Sequence, residues 1–224
     1  PTSATFGFTT TLRSLLEREK PDHIAVAFDG PREDLERTKL YPEYKSTREK
    51  APEELIEQLD DIQRVVQAHG IRIVRSEGQE ADDVIGTLAV QGRDAGMDVF
   101  IVTGDKDFMQ LVDDHLKLWN LRSSTSAPEI LGTEAVHEKF GVAPEQMIDM
   151  LALMGDSSDN VPGVPRVGQK TAAKLLQAHG SLQGCYEALD EVKPPSIQKA
   201  LRENRELAEL SLLKLALLKI PKNY

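Results

Sequence analysis

Apolar runs too short to be helices, alternating with longer segments of helical period, constrain this chain more than any other feature. His23-Ile24-Ala25-Val26-Ala27-Phe28 reads as a buried strand, and Ile71 to Val74, Val99 to Val102 and Leu116 to Trp119 read the same way. Between the first two, Leu55, Ile56, Leu59, Ile62, Val65 and Val66 recur at helical spacing, from a start at Pro52-Glu53-Glu54 to a stop at His69-Gly70. A further helix is expected from about Glu80 to Ala95, and an earlier one over Phe8 to Leu16, stopped by Lys20-Pro21-Asp22. Such alternation implies an α/β fold, a central and mostly parallel sheet flanked by helices, with right-handed crossovers bringing strand ends to one edge. Residues 31–51 follow neither period and read as an ordered loop or irregular helical excursion. After the polar turn Ser123 to Ser126 the chain reads as helical almost to its end, with a subdomain boundary near Gly141 that divides it into 1–140 and 141–224.

The strands and helices begin or end at acidic residues. Asp29 follows the first strand, Glu80, Asp82 and Asp83 open a helix, Asp105 and Asp107 follow the third strand, and Asp156 and Asp159 lie in Gly155-Asp156-Ser157-Ser158-Asp159-Asn160. The carboxyl ends of strands are where open α/β sheets place ligands. Converging carboxylates suit a hard cation such as Mg²⁺ or Mn²⁺, and without one their like charges would destabilise the pocket. Each cluster also has a structural reading. First-turn acids complement a helix dipole, Asp105 fits an N-cap, and the Asp156 segment resembles an ordinary polar turn. Recurrence favours the metal reading, because one cap uses one side chain whereas Glu80, Asp82 and Asp83 crowd four residues.

With 224 residues, 40% of them hydrophobic and 29% charged, the chain can bury one sizeable core with a smaller appended subdomain. It has no apolar run long enough to span a bilayer and one cysteine, Cys185, which fits a reducing cytoplasmic compartment. A net charge of -10 argues against a nucleic-acid partner, since phosphate binding relies on Lys and Arg. Its distribution reverses that inference: Gly163 to Gly180 carries Arg166, Lys170 and Lys174 with no acid. The run from Gly163 to Gly168 spaces two glycines as a hairpin opening a helix, which presents backbone N–H groups to an anion. A nucleotide P-loop would need a Gly-Lys-Ser/Thr ending and a preceding strand, and both are missing from this segment. A plain turn between packed helices is the structural alternative.

Phe28-Asp29-Gly30, Leu40 to Arg48, Glu80-Ala81-Asp82-Asp83-Val84-Ile85-Gly86, Thr103-Gly104-Asp105-Lys106-Asp107 and Ala152 to Val164 occur in that order. Together they resemble the 5'-nuclease domain of bacterial DNA polymerase I, of the flap endonuclease family. The resemblance implies a PIN-like core with a helical arch at about residues 31–51 and a C-terminal helix-hairpin-helix subdomain that holds duplex DNA. It implies that Asp29, Glu80, Asp82, Asp83, Asp105, Asp107, Asp156 and Asp159 hold two Mg²⁺ or Mn²⁺ ions, directly or through water. Lys45 and Arg48 match arch residues that approach the scissile phosphate, and Tyr44 is placed to stack on a base. Gly163, Val164, Arg166, Gly168, Lys170, Thr171 and Lys174 match the element that grips the duplex backbone and, in relatives, holds a K⁺ ion. The implied reaction is hydrolysis of DNA at 5' flaps and nicks in replication and repair, by a monomeric bacterial, nucleoid-associated protein, with a polymerase domain possible in the full-length chain. Two paired ions would activate water and stabilise attacking and leaving oxygens.

Two departures stand out. The resemblance implies a strand before Pro1 whose end carries a further catalytic Asp, and Glu36 occupies a place before Arg37 that is usually aromatic. A DNA-binding fragment without catalysis, an RNA-cleaving relative and an α/β phosphatase therefore stay open at this level. None of His23, His69, His115, His137 and His179 lies in a motif, which disfavours a histidine general base.

Overall fold

In the computed structural model, residues 1–30, 35, 51–120, 129–157 and 159–215 are described. Helix α1 spans Ser3–Glu19 and ends as expected, with Lys20 in the left-handed conformation at φ 45 just before Pro21. It starts five residues earlier than its apolar period suggests. The reason is tertiary: Gln58 of the next helix accepts hydrogen bonds from the backbone N–H of Ala4 (2.9 Å) and Thr5 (3.2 Å), capping α1 from outside.

Strand β1 is Ala25–Ala27, helix α2 Glu53–Ala68 and strand β2 Arg72–Val74. β1 and β2 pair in parallel, Val26 opposite Ile73. Of the apolar positions expected to face inward on α2, Ile62 and Val66 are buried, whereas Leu55, Ile56 and Leu59 in its first turns are exposed. Helix α3, Ala81–Asp94, leads to β3, Val99–Val102, and then to β4, Leu116–Asn120, which lies parallel to β3 with Ile101 opposite Leu118.

The fold is α/β with parallel pairing and flanking helices, but the described strands form two sheets, β1-β2 and β3-β4-β5. Among the described strands none pairs β1 or β2 with β3, and α3 bridges the two sets by packing on both β1 and β3. Strand β5, Glu129–Leu131, is a correction, since this stretch reads as the start of an all-helical half. It runs antiparallel to β4, with Ile130 opposite Trp119. Three residues bounded by Pro128 and Gly132 are too few to show an alternation.

The rest is helical: α4 Thr133–Phe140, α5 Met147–Met154, α6 Gln169–His179, α7 Leu182–Glu187, α8 Pro195–Glu203 and α9 Arg205–Leu215. Helix α5 is apolar nearly all round and is the centre of this half, with Met147, Met150, Leu151, Ala152 and Leu153 fully buried. It packs between α6 and α9 and against the 3₁₀ turn Lys106–Leu111. One continuous core thus ties the end of β3 to the end of α5, the two places where acids were expected.

Candidate metal centre and nucleic-acid interface

The acids lie in two neighbourhoods. In the first, Asp29 follows β1 and its Oδ1 accepts a hydrogen bond from the backbone N–H of Ala81, the first residue of α3, at 2.8 Å. Glu80 is the N-cap residue in extended conformation, without a capping bond from its own side chain, and Asp82 and Asp83 fill the first turn. Glu80 and Asp83 are buried. The helix N-terminus supplies these acids with positive potential and unsatisfied N–H groups.

In the second, β3 delivers Thr103-Gly104-Asp105-Lys106-Asp107 into the 3₁₀ turn. The Thr103 Oγ1 accepts from the Asp105 N–H (3.0 Å), and Asp105 Oδ1 accepts from the Asp107 N–H (2.9 Å), so Asp105 does serve as an N-cap. Its other oxygen is left for different work. Across from this turn, the loop after α5 closes on itself: the Asp156 and Val161 backbones exchange two hydrogen bonds of 2.8 Å. Two glycines make that closure possible. Gly155 has φ +77, and a Cβ on Gly155 or on Gly163 would fall inside the other's backbone. The Ser211 hydroxyl on α9 donates to the Pro162 carbonyl at 2.6 Å and pins the loop from below. An open cleft of about 470 Å³, lined among others by Gly155, Asp156, Ser157 and Asn160, lies there.

Asp107 is the electrostatic focus. Burial, followed by the charges of Asp105, Asp156 and Asp159, pushes its pKa up to about 8, against a smaller opposing effect of Lys106. Its Oδ1 is buried and meets no hydrogen-bond donor among the described residues. The Lys106 ammonium instead lies 3.0 Å from Asp156 Oδ2. Among the described residues no three His, Cys, Asp or Glu side chains are arranged to hold one metal ion. The contacts that tie the expected ligands together are the Asp29–Ala81 hydrogen bond at the start of α3 and the crowding of Asp107 by Asp105, Asp156 and Asp159. The donor set still fits a hard divalent cation: all-oxygen, crowded, and including the buried Oδ1 of Asp107.

The hairpin forms as expected. Val164, Pro165, Arg166 and Val167 make a turn closed by Val167 N–H to Val164 carbonyl (3.0 Å), with Arg166 at φ 70. A positive φ at the third position after Pro is the type II pattern that favours Gly, so Arg166 sits there at a cost of about 1–2 kcal/mol. Gly168 caps α6, and Arg166, Gly168, Lys170 and Lys174 are exposed on its open side, Thr171 half-buried. Val164 anchors the hairpin, with its side chain in the core and its N–H donating to the Leu153 carbonyl at 2.8 Å, which leaves only its carbonyl for a ligand. Gly163 serves the crossing with Gly155.

Tyr44, Lys45 and Arg48 lie outside the described residues. The sequence reading missed Gly155, whose signal is a glycine abutting an acidic turn, and Lys106, set between two of the expected ligands.

Comparison with known proteins agrees with this architecture. The 5'-3' exonuclease N-terminal resolvase-like domain matches residues 1–141, and the 5'-3' exonuclease C-terminal SAM fold matches residues 142–221. DNA polymerase I of Bacillus caldotenax is 40% identical over 210 residues and that of Mycobacterium bovis 44% identical over 216. These alignments take in 94% and 93% of this chain, which spans 24% of either relative's length. Among solved structures, T5 5'-exonuclease with bound zinc superposes with a TM-score of 0.79 at 22% identity, covering 97% of this chain and 82% of that one. The catalytic core of Rad2 in complex with DNA substrate gives 0.60 at 17% identity, covering 99% and 74%. Resolvase-like core and SAM-fold helices are thus both present in sequence and in shape, and the chain belongs to the 5'-3' exonuclease family.

Proposed function

We propose that this chain is a structure-specific, divalent-metal-dependent 5' nuclease that hydrolyses DNA phosphodiester bonds at 5' ends, nicks and flaps during replication and repair. The observation that carries the reading is the half-buried Asp107, crowded by Asp105, Asp156 and Asp159 at the mouth of an α/β core, next to a hairpin with an exposed basic side. Solved relatives support it: one T5 structure carries zinc, and another is a pseudo-enzyme-product complex with DNA and metal ions.

Asp29, Glu80, Asp82 and Asp83 would form one side of the metal centre and Asp105, Asp107, Asp156 and Asp159 the other. Mg²⁺ or Mn²⁺, two ions in all, would supply Lewis acidity and lower the pKa of coordinated water there. The chain's own residues position the strand. Arg166, Lys170 and Lys174 would meet backbone phosphates, the N-terminus of α6 after Gly168 would add N–H donors, and a K⁺ ion held by oxygens of the hairpin, the Thr171 hydroxyl nearby, would bridge to phosphate. Lys45 and Arg48 would offset charge on the scissile phosphate, with Tyr44 stacking on a base. The chain would divide near the left-handed Gly141 that ends α4 into a core of 1–140 and a DNA-holding subdomain of 141–224, and would act as a monomer. The polymerase I relatives suggest the same segment as one part of a longer polymerase in a bacterial cytoplasm.

A labelled 5' flap incubated with Mg²⁺ or with EDTA tests this. Cleavage in Mg²⁺ alone is expected; Asp105→Asn abolishes it while binding persists, and Lys170→Glu weakens binding and reduces its salt slope by about 1. Normal cutting by Asp105→Asn would refute the assignment, and binding without any cutting by the unmodified chain would leave a DNA-binding fragment.

A further inference from the structure

Lys106 is the first residue of the 3₁₀ turn, between two of the proposed ligands, and its ammonium crosses to the loop after α5 to lie 3.0 Å from Asp156 Oδ2. The two partners come from separate elements, and Asp156 is 3% exposed while Lys106 is 32% exposed. An ion pair with one partner this deep differs from a surface bridge, because the carboxylate has been taken out of water and its attraction to the ammonium is weakly screened. Lysine suits a temporary role better than arginine: it is a point charge on a flexible four-carbon stem, without the planar fork that locks onto a carboxylate. A third of its side chain already faces solvent, which gives the ammonium a way out without backbone movement.

We propose that Lys106 is a tethered counter-cation: it pairs with Asp156 in the metal-free protein, is displaced when a divalent ion enters, and so sets the metal affinity of the site. This makes it a positioning residue that acts through Asp156. The inference rests on the carboxylates being the metal site and adds what regulates their occupancy.

The test is calorimetric titration of Mn²⁺ alone into the metal-free chain and its Lys106→Met and Lys106→Arg variants, with thermal midpoints in EDTA and in Mn²⁺. Lys106→Met should lower the midpoint in EDTA yet bind Mn²⁺ at least about fivefold more tightly, since it no longer competes with a unit positive charge. Lys106→Arg should bind no more tightly than the unmodified chain. Equal or weaker Mn²⁺ binding by Lys106→Met would overturn the proposal, leaving Lys106 a structural partner only. The unmodified protein supplies an arm that needs no variant: on titration with Mg²⁺, the Lys106 side-chain NMR signals should move to free-lysine values as the site fills. Signals that stay put at saturating Mg²⁺ would equally overturn it. If the unmodified chain bound no Mn²⁺, or bound it undiminished after Asp107→Asn with Asp156→Asn, the metal site itself would be refuted, a separate failure.

Discussion

The two acidic neighbourhoods solve the same problem by different means. Around α3 the charges are met by peptide dipoles: Asp29 takes the Ala81 N–H, and Asp82 and Asp83 sit in the first turn of a 14-residue helix. Around Asp107 no long helix begins. Asp105 spends one oxygen on capping a six-residue 3₁₀ turn, Asp107 is crowded by the charges of Asp105, Asp156 and Asp159, and the Lys106 ammonium lies 3.0 Å from Asp156. Fixed dipoles make an acidic cluster tolerable at all times, whereas a cluster without them is stable only in proportion to the cations it holds. The second neighbourhood should therefore respond to metal, pH and substitution far more than the first.

The largest contrast should come from Gly155→Ala. The variant carries a positive φ and drives a Cβ into the Gly163 backbone, so a loss of about 3 kcal/mol or more is expected, seen as a thermal midpoint lowered by roughly 6–12 °C. Asp156 and Asp159 would lose their placement and Mn²⁺ binding would go with them, while the Ala81 amide signal, reporting the Asp29 contact, stays where it was. A destabilisation below about 1 kcal/mol would show that the glycine crossing does not hold the second cluster.

Asp107→Asn should act in the opposite direction. The sign follows from a folded-state value raised to about 8 from 3.8: between those limits the unfolded chain has lost its proton and the folded one retains it. Metal-free stability is therefore fullest below pH 4, falls as pH rises through about 8, and is level above. Asparagine removes that fall. At pH 8.5 in EDTA the variant should be more stable by about 2–3 kcal/mol, a midpoint higher by roughly 5–10 °C, with cleavage reduced at least about 100-fold. Melting curves in EDTA from pH 5 to 9 on both proteins check it; parallel pH profiles would show that Asp107 ionises freely.

What was legible in the sequence is what local pattern encodes. The apolar runs gave β1, β2, β3 and β4 because each is four to six mostly apolar residues beside a turn, although Phe100 and Val102 of β3 are exposed, and α2 and α3 because their periods run for more than three turns. The early start of α1 was not legible, since it depends on Gln58, more than fifty residues away. Neither was β5, too short to show a period, nor the separation of the sheets, which depends on which edges meet and not on any one strand. The same division holds at the site. The acids were legible by recurrence, but Lys106 reads as a spacer until the loop after α5 folds over it, and Gly155 reads as a turn residue until its backbone meets Gly163.

Asp29→Asn should have the smallest effect and bears most directly on whether the two neighbourhoods are one site. Asparagine keeps an oxygen to accept from the Ala81 N–H, so the 2.8 Å contact survives and only the charge facing the helix N-terminus is lost. That interaction is worth about 0.3–1 kcal/mol, and the metal-free midpoint should drop by only about 1–3 °C. Unlike Asp107, Asp29 is exposed and bonded to a backbone N–H, so relief of its repulsion with Glu80, Asp82 and Asp83 adds little. Its Mn²⁺ titration then discriminates. If one of two binding steps weakens while the other is unchanged, α3 and the 3₁₀ turn each hold their own ion, which is the spacing a phosphodiester between two cations needs. If Asp29→Asn erases both steps as thoroughly as Asp107→Asn does, the neighbourhoods share their ions, and the contrast between dipole-held and cation-held acids belongs to the metal-free state alone.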